Sequence, residues 1–485
     1  MSYLQALVMA ASALLISTAK MGVAHAEDVT QKCHIDGYEA WANCGTIDVP
    51  LDWSGETEGR LKLFYVVIPA KSDQGLPPLF ALAGGPGQAI TETGQIIKIA
   101  FDKVGRTRDL VLMDQRGTGR SHPMACSIPE DLNFIMTEAT IKEQAQNCLK
   151  EQTEDTRYFN SSQAVKDLNA MRVHLGVDKI ALWGGSYGTR MALLYMKDYP
   201  QHVEATVLDG VAPAHKSFLE SSSQHAQAAL DQLFNDCEAD TLCATAYPKL
   251  RASFKVIQTN LNTADKPFPF QDPITGHMVE MLPTPLLITQ VIRGMLYSSG
   301  QSAYLPYAIT EAAKENYGPL SALGSQPQHT EKQMMYMGMT FSTICPEDVA
   351  RAKAEGVKNA ARGAFGQDYF YKFFKTSCDN WVFGPSTGTD NDPENSAIPV
   401  LMLSGDVDPI TAPEMAESLM PRFTNAKHFV ASNNGHIVSM TPCAVTAMDE
   451  FYRHKKPNEI DGQCFEDIKR PPFYISGSTN LGDVK

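Results

Sequence analysis

Gly184-Gly185-Ser186-Tyr187-Gly188 sets a serine among small residues in the pattern G-x-S-x-G. An apolar run, Lys179–Trp183, precedes it and a helix-like run to Tyr199 follows. That context makes a weak pattern informative, because a serine on a tight strand-to-helix turn exposes its hydroxyl. A serine attacks only when a base takes its proton and an acid orients the base. Two later segments offer these groups. The run Ile398–Leu403 leads into Ser404-Gly405-Asp406-Val407-Asp408-Pro409, and the run Ala426–Val430 leads into Ala431-Ser432-Asn433-Asn434-Gly435-His436. Both lie past the carboxyl ends of strand-like runs, where open α/β sheets place their ligands. Serine, then acid, then histidine is one established chain order for such a triad. We therefore expect Ser186 as nucleophile, His436 as general base, and Asp408 or Asp406 as the orienting acid. Asp408 is preferred, with Asp406 bonding to the turn backbone.

An oxyanion formed by that attack needs backbone donors that approach it closely. Ala83-Gly84-Gly85-Pro86-Gly87 follows a short apolar run over residues 79–83. The expected donors are the N–H of Tyr187 and that of Gly85 or its neighbour. Asp114-Gln115-Arg116-Gly117-Thr118-Gly119-Arg120-Ser121 also looks chemical, but it lacks the lysine of a phosphate-binding loop. Asp114 and Arg116 are expected to brace the oxyanion loop by hydrogen bonds.

The elements that must position these residues alternate. Strand-like runs occur at 61–68, 79–83, 109–113, 179–183 and 205–209, and a helical stripe over 163–175 carries Val165, Leu168, Met171 and Leu175. Short apolar strands alternating with helices imply a mostly parallel α/β sheet covered by helices on both faces. From about Pro213 to Ser396 long helical stretches take over, among them Gln227–Asn235, Tyr247–Leu261 and Leu286–Tyr297. We expect a sheet domain in two parts, 27–212 and 397–485, interrupted by a helical cap at 213–396.

The chain has 485 residues and a net charge of −14, with a mean hydropathy of −0.22. That acidity argues against nucleic acid as a partner. Residues 1–26 have an apolar run from Leu4 to Thr18 and the small-residue triplet Ala24-His25-Ala26, the form of a cleaved export signal, though no Lys or Arg precedes the run. The run is too short for a spanning helix, so no membrane anchor is expected after cleavage. All ten cysteines follow it, with no C-x-x-C and no histidines at zinc spacing. Disulfides are the expected use in an exported chain, and neither metal nor cofactor is expected. Consecutive pairing closes the shortest loops: Cys33–Cys44, Cys126–Cys148, Cys237–Cys243, Cys345–Cys378 and Cys443–Cys464.

Together, Gly84–Gly87, Asp114–Ser121, Gly184–Thr189, Gly405–Pro413 and Gly435-His436 resemble an α/β-hydrolase family of serine peptidases. It is the proline iminopeptidase and tripeptidyl aminopeptidase-like family, and the likeness points to its exported, disulfide-containing branch. Ile344-Cys345-Pro346-Glu347-Asp348 and Cys378-Asp379-Asn380-Trp381 are similar to that branch too, and the likeness covers roughly residues 45–211 and 341–464. Ala83 stands where the iminopeptidases usually carry histidine. The resemblance implies an α/β-hydrolase fold and a secreted or periplasmic aminopeptidase working through an acyl-enzyme on peptides with free N-termini. It also implies an acidic residue that binds the substrate ammonium, with Glu347 at the matching position. The alternative is a carboxylesterase or lipase acting on small esters, since one scaffold serves many substrates.

Overall fold

Alternate residues of the central strands enter two different cores. Ile180 and Leu182 pack into one apolar cluster and Ala181 and Trp183 into another; Val400 and Met402 alternate likewise with Leu401 and Leu403. Strand side chains point to opposite faces, so runs apolar at every position need cover on both. In the computed structural model, which describes residues 30–127, 136–261, 267–271, 276–325, 335–385 and 392–476, helices provide that cover. Gly94–Ala100 and Pro442–His454 pack on one face, and Ser161–His174 and Tyr187–Asp198 on the other. The expected export signal, residues 1–26, lies outside the described residues.

The strands are β1 (Gln31–Ile35), β2 (Tyr38–Pro50), β3 (Arg60–Ile68), β4 (Leu79–Leu82), β5 (Leu110–Met113), β6 (Ile180–Gly185), β7 (Val203–Asp209), β8 (Phe268–Gln271), β9 (Met278–Met281), β10 (Val400–Gly405) and β11 (Ala426–Ala431). Nine form one sheet in the order β1-β2-β3-β5-β4-β6-β7-β10-β11, and β8 and β9 form a separate hairpin. The six strands from β5 to β11 in that order run parallel, while β1, β2 and β3 pair antiparallel and β3 is antiparallel to β5. This is the α/β-hydrolase architecture expected, and its parallel strands lie within two residues of the runs read from sequence. The β1–β2 hairpin is not marked by its composition. Gly45 interrupts β2 because a Cβ there would stand 2.5 Å from the Tyr65 hydroxyl oxygen, on the neighbouring strand. Pro269 likewise conceals β8, since proline cannot donate to a strand ladder.

Between β7 and β10 the chain leaves the sheet. Ser222–Ala239, Leu250–Leu261, Pro285–Leu296 and Leu305–Ala312 share a third core through Leu230, Ile257, Ile292 and Ile309. Met339 and Ile344 of helix Met337–Ile344, Phe374 of helix Tyr369–Cys378, and Trp381 pack instead into the cluster on the sheet. The stretch read as one cap thus divides between two cores, because helical spacing reveals an apolar face but not what it meets. The five disulfides join the cysteines in the consecutive pairs set out above. Among the described residues no helix is long and apolar enough to cross a membrane.

Asp114 does brace the loop after β4: its carboxylate accepts from Thr91 N at 3.0 Å, Thr91 Oγ1 at 2.9 Å and Arg120 N at 3.1 Å. Arg116 does not. It is fully buried, paired twice at 2.6 Å with Asp167 and donating to the carbonyls of Leu51 and Tyr158. It joins the end of β2 to helix Ser161–His174, where acceptors converge from chain segments far apart in sequence.

Breaking a buried pair leaves an uncompensated charge, whereas removing both partners does not. Arg116→Met should therefore lower unfolding free energy by about 3–5 kcal/mol. The double variant Arg116→Met with Asp167→Leu should recover part of that loss. Denaturant melts of the three proteins check it.

Candidate active site

β6 ends at Gly185 and the next helix begins at Tyr187, so Ser186 alone makes the turn, at φ 55° and ψ −123°. The turn is possible because β4 and that helix cross at contact distance. A Cβ on Gly188 would come within 2.1 Å of the Leu82 carbonyl oxygen, and one on Gly184 within 2.3 Å of the Gly188 carbonyl oxygen. The Ser186 N–H donates to the carbonyl of Asp209, the last residue of β7, at 2.8 Å. The Asp209 carboxylate in turn accepts from Val438 N at 2.9 Å, from Ser439 N at 2.7 Å and from the Ser439 hydroxyl. One buried residue thus ties the serine turn to the loop after β11, which carries His436.

His436 Nδ1 lies 2.7 Å from Asp408 Oδ2. Asp408 is held from below: its Oδ1 accepts from Ile410 N and Thr411 N, each at 2.9 Å, and Thr411 Oγ1 donates to Oδ2 at 2.7 Å. Burial pushes the Asp408 carboxyl up, but the adjacent imidazole and these donors outweigh it and hold it below the ordinary carboxylate value. For His436, burial favours the neutral ring, yet the Asp408 charge and hydrogen bond prevail and raise its pKa above the usual imidazole value. Asp406 has an exposed side chain, and its backbone N–H pairs with the Ala431 carbonyl. Of the two candidate acids, Asp408 is the one in contact with His436.

Ser186 and His436 line one cavity of about 360 Å³, together with Gly85 and Tyr187. The Tyr187 N–H is the first of its helix, where backbone donors have no partner within the helix. Gly85, at φ +106°, sits on the loop facing the serine: a Cβ on the adjacent Gly84 would stand 3.0 Å from the Ser186 Cβ. These residues come from the ends of β4, β6, β10 and β11, with β7 between, five neighbouring parallel strands. A hydroxyl, an imidazole backed by a carboxylate, and backbone donors around one cavity can carry out acyl transfer.

The structure does not bring Glu347 into that cavity. Its oxygens accept from Ser161 N at 2.9 Å and Ser161 Oγ at 2.7 Å, and Arg190 Nη1 lies 3.6 Å away. Ser161 Oγ is also 2.7 Å from the Tyr187 hydroxyl, so Glu347 supports the helix that begins at the serine turn. Its neighbour Asp348 does line the cavity, bound by both nitrogens of the Arg190 fork at 2.7 and 3.0 Å. Both acids sit on one wide helical turn, Cys345–Val349, whose side-chain directions residue spacing alone does not give. Sequence reasoning also missed Asp209 and Thr411. Only Thr411 had a local signal: an Asp followed three residues later by Thr is a side-chain-to-backbone turn in the making.

Glu347→Gln keeps the shape but weakens the bonds to Ser161 and Arg190. It should cost about 1–3 kcal/mol in stability and slow all substrates by a common factor. A loss confined to substrates with a free amine, in kinetics on amine-bearing and neutral substrates, would place Glu347 at the substrate after all.

Residues 77–281 match the model of the alpha/beta hydrolase fold, and residues 362–464 match that of the TAP-like protein. The chain is 27% identical over 216 residues to the serine protease Hip1 of Mycobacterium tuberculosis, covering 41% of each chain. It is 30% identical over 146 residues to the proline iminopeptidase of Lactobacillus helveticus, covering 30% of this chain and 38% of the relative. It is 25% identical over 193 residues to the tripeptidyl aminopeptidase of Streptomyces lividans, covering 35% of each. The match thus spans about two fifths of the length of Hip1, the relative it covers furthest among these. The strand order and these matches together show an α/β-hydrolase fold, and parts of the chain are similar to proline iminopeptidases and tripeptidyl aminopeptidases.

Proposed function

We propose that this protein is an exported serine aminopeptidase that releases residues or short peptides from free N-termini. The observation that carries the reading is Ser186 and His436 on one cavity, with Asp408 2.7 Å behind the imidazole. Ser186 Oγ bonds to the scissile carbonyl carbon while His436 takes its proton and Asp408 holds the imidazole in the productive tautomer. The N–H groups of Tyr187 and Gly85 receive the oxyanion. The C–N bond breaks as His436 returns the proton to the leaving amine. Water then attacks the acyl-enzyme, giving a proton to His436 that passes back to Ser186.

A free N-terminus brings an ammonium, which needs a negative partner. Glu347 and Asp348 both lie within ion-pair distance of the guanidinium of Arg190. Asp348 is the one that lines the cavity, so the ammonium is assigned to Asp348 rather than to Glu347. Export is supported by the signal-like segment and the five disulfides. A second reading, a carboxylesterase for small esters, is favoured by the apolar wall of Phe218, Phe370, Phe374 and Ile344.

Matched peptide amides with free and acetylated N-termini separate the two readings. An aminopeptidase should lose on the order of 100-fold or more in kcat/KM on the blocked peptide, because the acetyl group removes the ammonium that Asp348 would bind. Cleavage of acyl esters with neither peptide touched would favour the esterase.

Catalysis needs neutral His436, whose pKa is raised in the folded protein, so kcat/KM should fall as pH drops through a value above about 6.5. Asp408→Asn removes the charge that raises it. The acid limb should then move to lower pH, and kcat should fall by on the order of 10⁴. A pH–rate profile of both proteins checks position and size together.

A further inference from the structure

Arg293 is a cation with no counter-ion among the described residues. It projects from helix Pro285–Leu296 in the cap and lines the catalytic cavity. Its Nε and Nη2 both donate to Gln290 Oε1, at 3.2 and 2.9 Å, a neutral acceptor one turn away. Its Nη1 is buried and has no hydrogen-bond partner. No carboxylate among the described residues lies within ion-pair distance of it. The guanidinium is fixed rather than free: Cζ stands 3.3 Å over the Phe370 ring and 5.9 Å from the Tyr297 ring. Tyr297 in turn packs edge-on against His436, with ring centres 5.1 Å apart. One aromatic ring therefore separates the unpaired cation from the proposed base.

A buried, unpaired guanidinium is costly, because desolvation is not repaid by attraction. Arg190, in the same cavity wall, shows the alternative, with both nitrogens of its fork on Asp348. An Arg held flat on one phenyl ring in the cavity wall, with no carboxylate to neutralise it, is preorganised for a planar anion. We propose that Arg293 is a substrate-binding residue that takes a carboxylate of the substrate in the catalytic cavity. The source is either the free C-terminus of a short peptide or an acidic side chain. With Asp348 on the same cavity, the substrate becomes a short peptide held at two opposite charges. This rests on Ser186 being the nucleophile, but not on peptides being preferred to esters.

The test compares wild type with Arg293→Met, which keeps an apolar stem on Phe370 without the charge, and with Arg293→Lys, which keeps the charge. The substrates are Ala-Ala-Ala, its C-terminal amide, Ala-Ala-Glu amide and the neutral ester p-nitrophenyl acetate. Arg293→Met should lose about 10- to 100-fold in kcat/KM, mainly through KM, on whichever carboxylate-bearing peptide is used, with the ester changed less than about threefold. Loss on free Ala-Ala-Ala assigns the terminal carboxylate, and loss on Ala-Ala-Glu amide assigns a side chain. Arg293→Lys should retain the preference for the charged peptide over Ala-Ala-Ala amide. Equal losses on charged and neutral substrates, or none on either, would overturn the assignment. Should no peptide be cleaved, competitive inhibition of ester hydrolysis by glutarate still decides. Inhibition of wild type that disappears in Arg293→Met supports the site even as the peptidase reading fails, and inhibition equal or absent in both refutes it.

Discussion

A serine at φ 55° and ψ −123° occupies backbone space that costs about 1–3 kcal/mol unless its surroundings leave it no alternative. Here the surroundings are β4, β6 and the helix after Ser186, packed so closely that Gly184 and Gly188 admit no side chain. The Ser186 N–H is held by Asp209, whose carboxylate holds the loop that carries His436. Ser186 and His436, the proposed nucleophile and base, are therefore positioned by one residue at the end of β7, between them in the sheet. Distances across the site follow from strand spacing, and the cap needs only to cover what the sheet has arranged.

The charges around the cavity fall into two kinds. Arg116 with Asp167, and Arg190 with Asp348, are buried pairs in which the guanidinium has a carboxylate against it. They fix segments relative to one another, and their loss would be felt first as lost stability. Arg293 is of the other kind, since its stacking on Phe370 orients it without neutralising it. A protein can keep such a group only where something else completes it, and in a catalytic cavity that something is substrate.

Much of this was legible in the sequence, and for a physical reason. A parallel strand buried on both faces has to be a short apolar run, and a serine elbow requires glycines around it, so β4, β6, β10, β11 and Ser186 are written locally. His436 followed from its place after a strand. The roles of Glu347, Arg116 and Arg293 were not legible, because each depends on which distant groups converge on it. Glu347 meets Ser161 and Arg116 meets Asp167 only after folding. The division of the cap between two cores escaped for the same reason: an apolar helix face does not name its partner. The β1–β2 hairpin was hidden by Gly45, which serves the ring of Tyr65 on β3.

If the turn at Ser186 does what its geometry equips it to do, its hydroxyl is the most reactive in the chain. Incubating the intact protein with a fluorophosphonate, then mapping the adduct by mass spectrometry while following hydrolysis, tests that directly. The expected result is a single adduct on Ser186, with activity lost in proportion to labelling and no adduct on Ser186→Ala. Full activity in protein labelled at Ser186, or an adduct on another residue that tracks the loss, would contradict it.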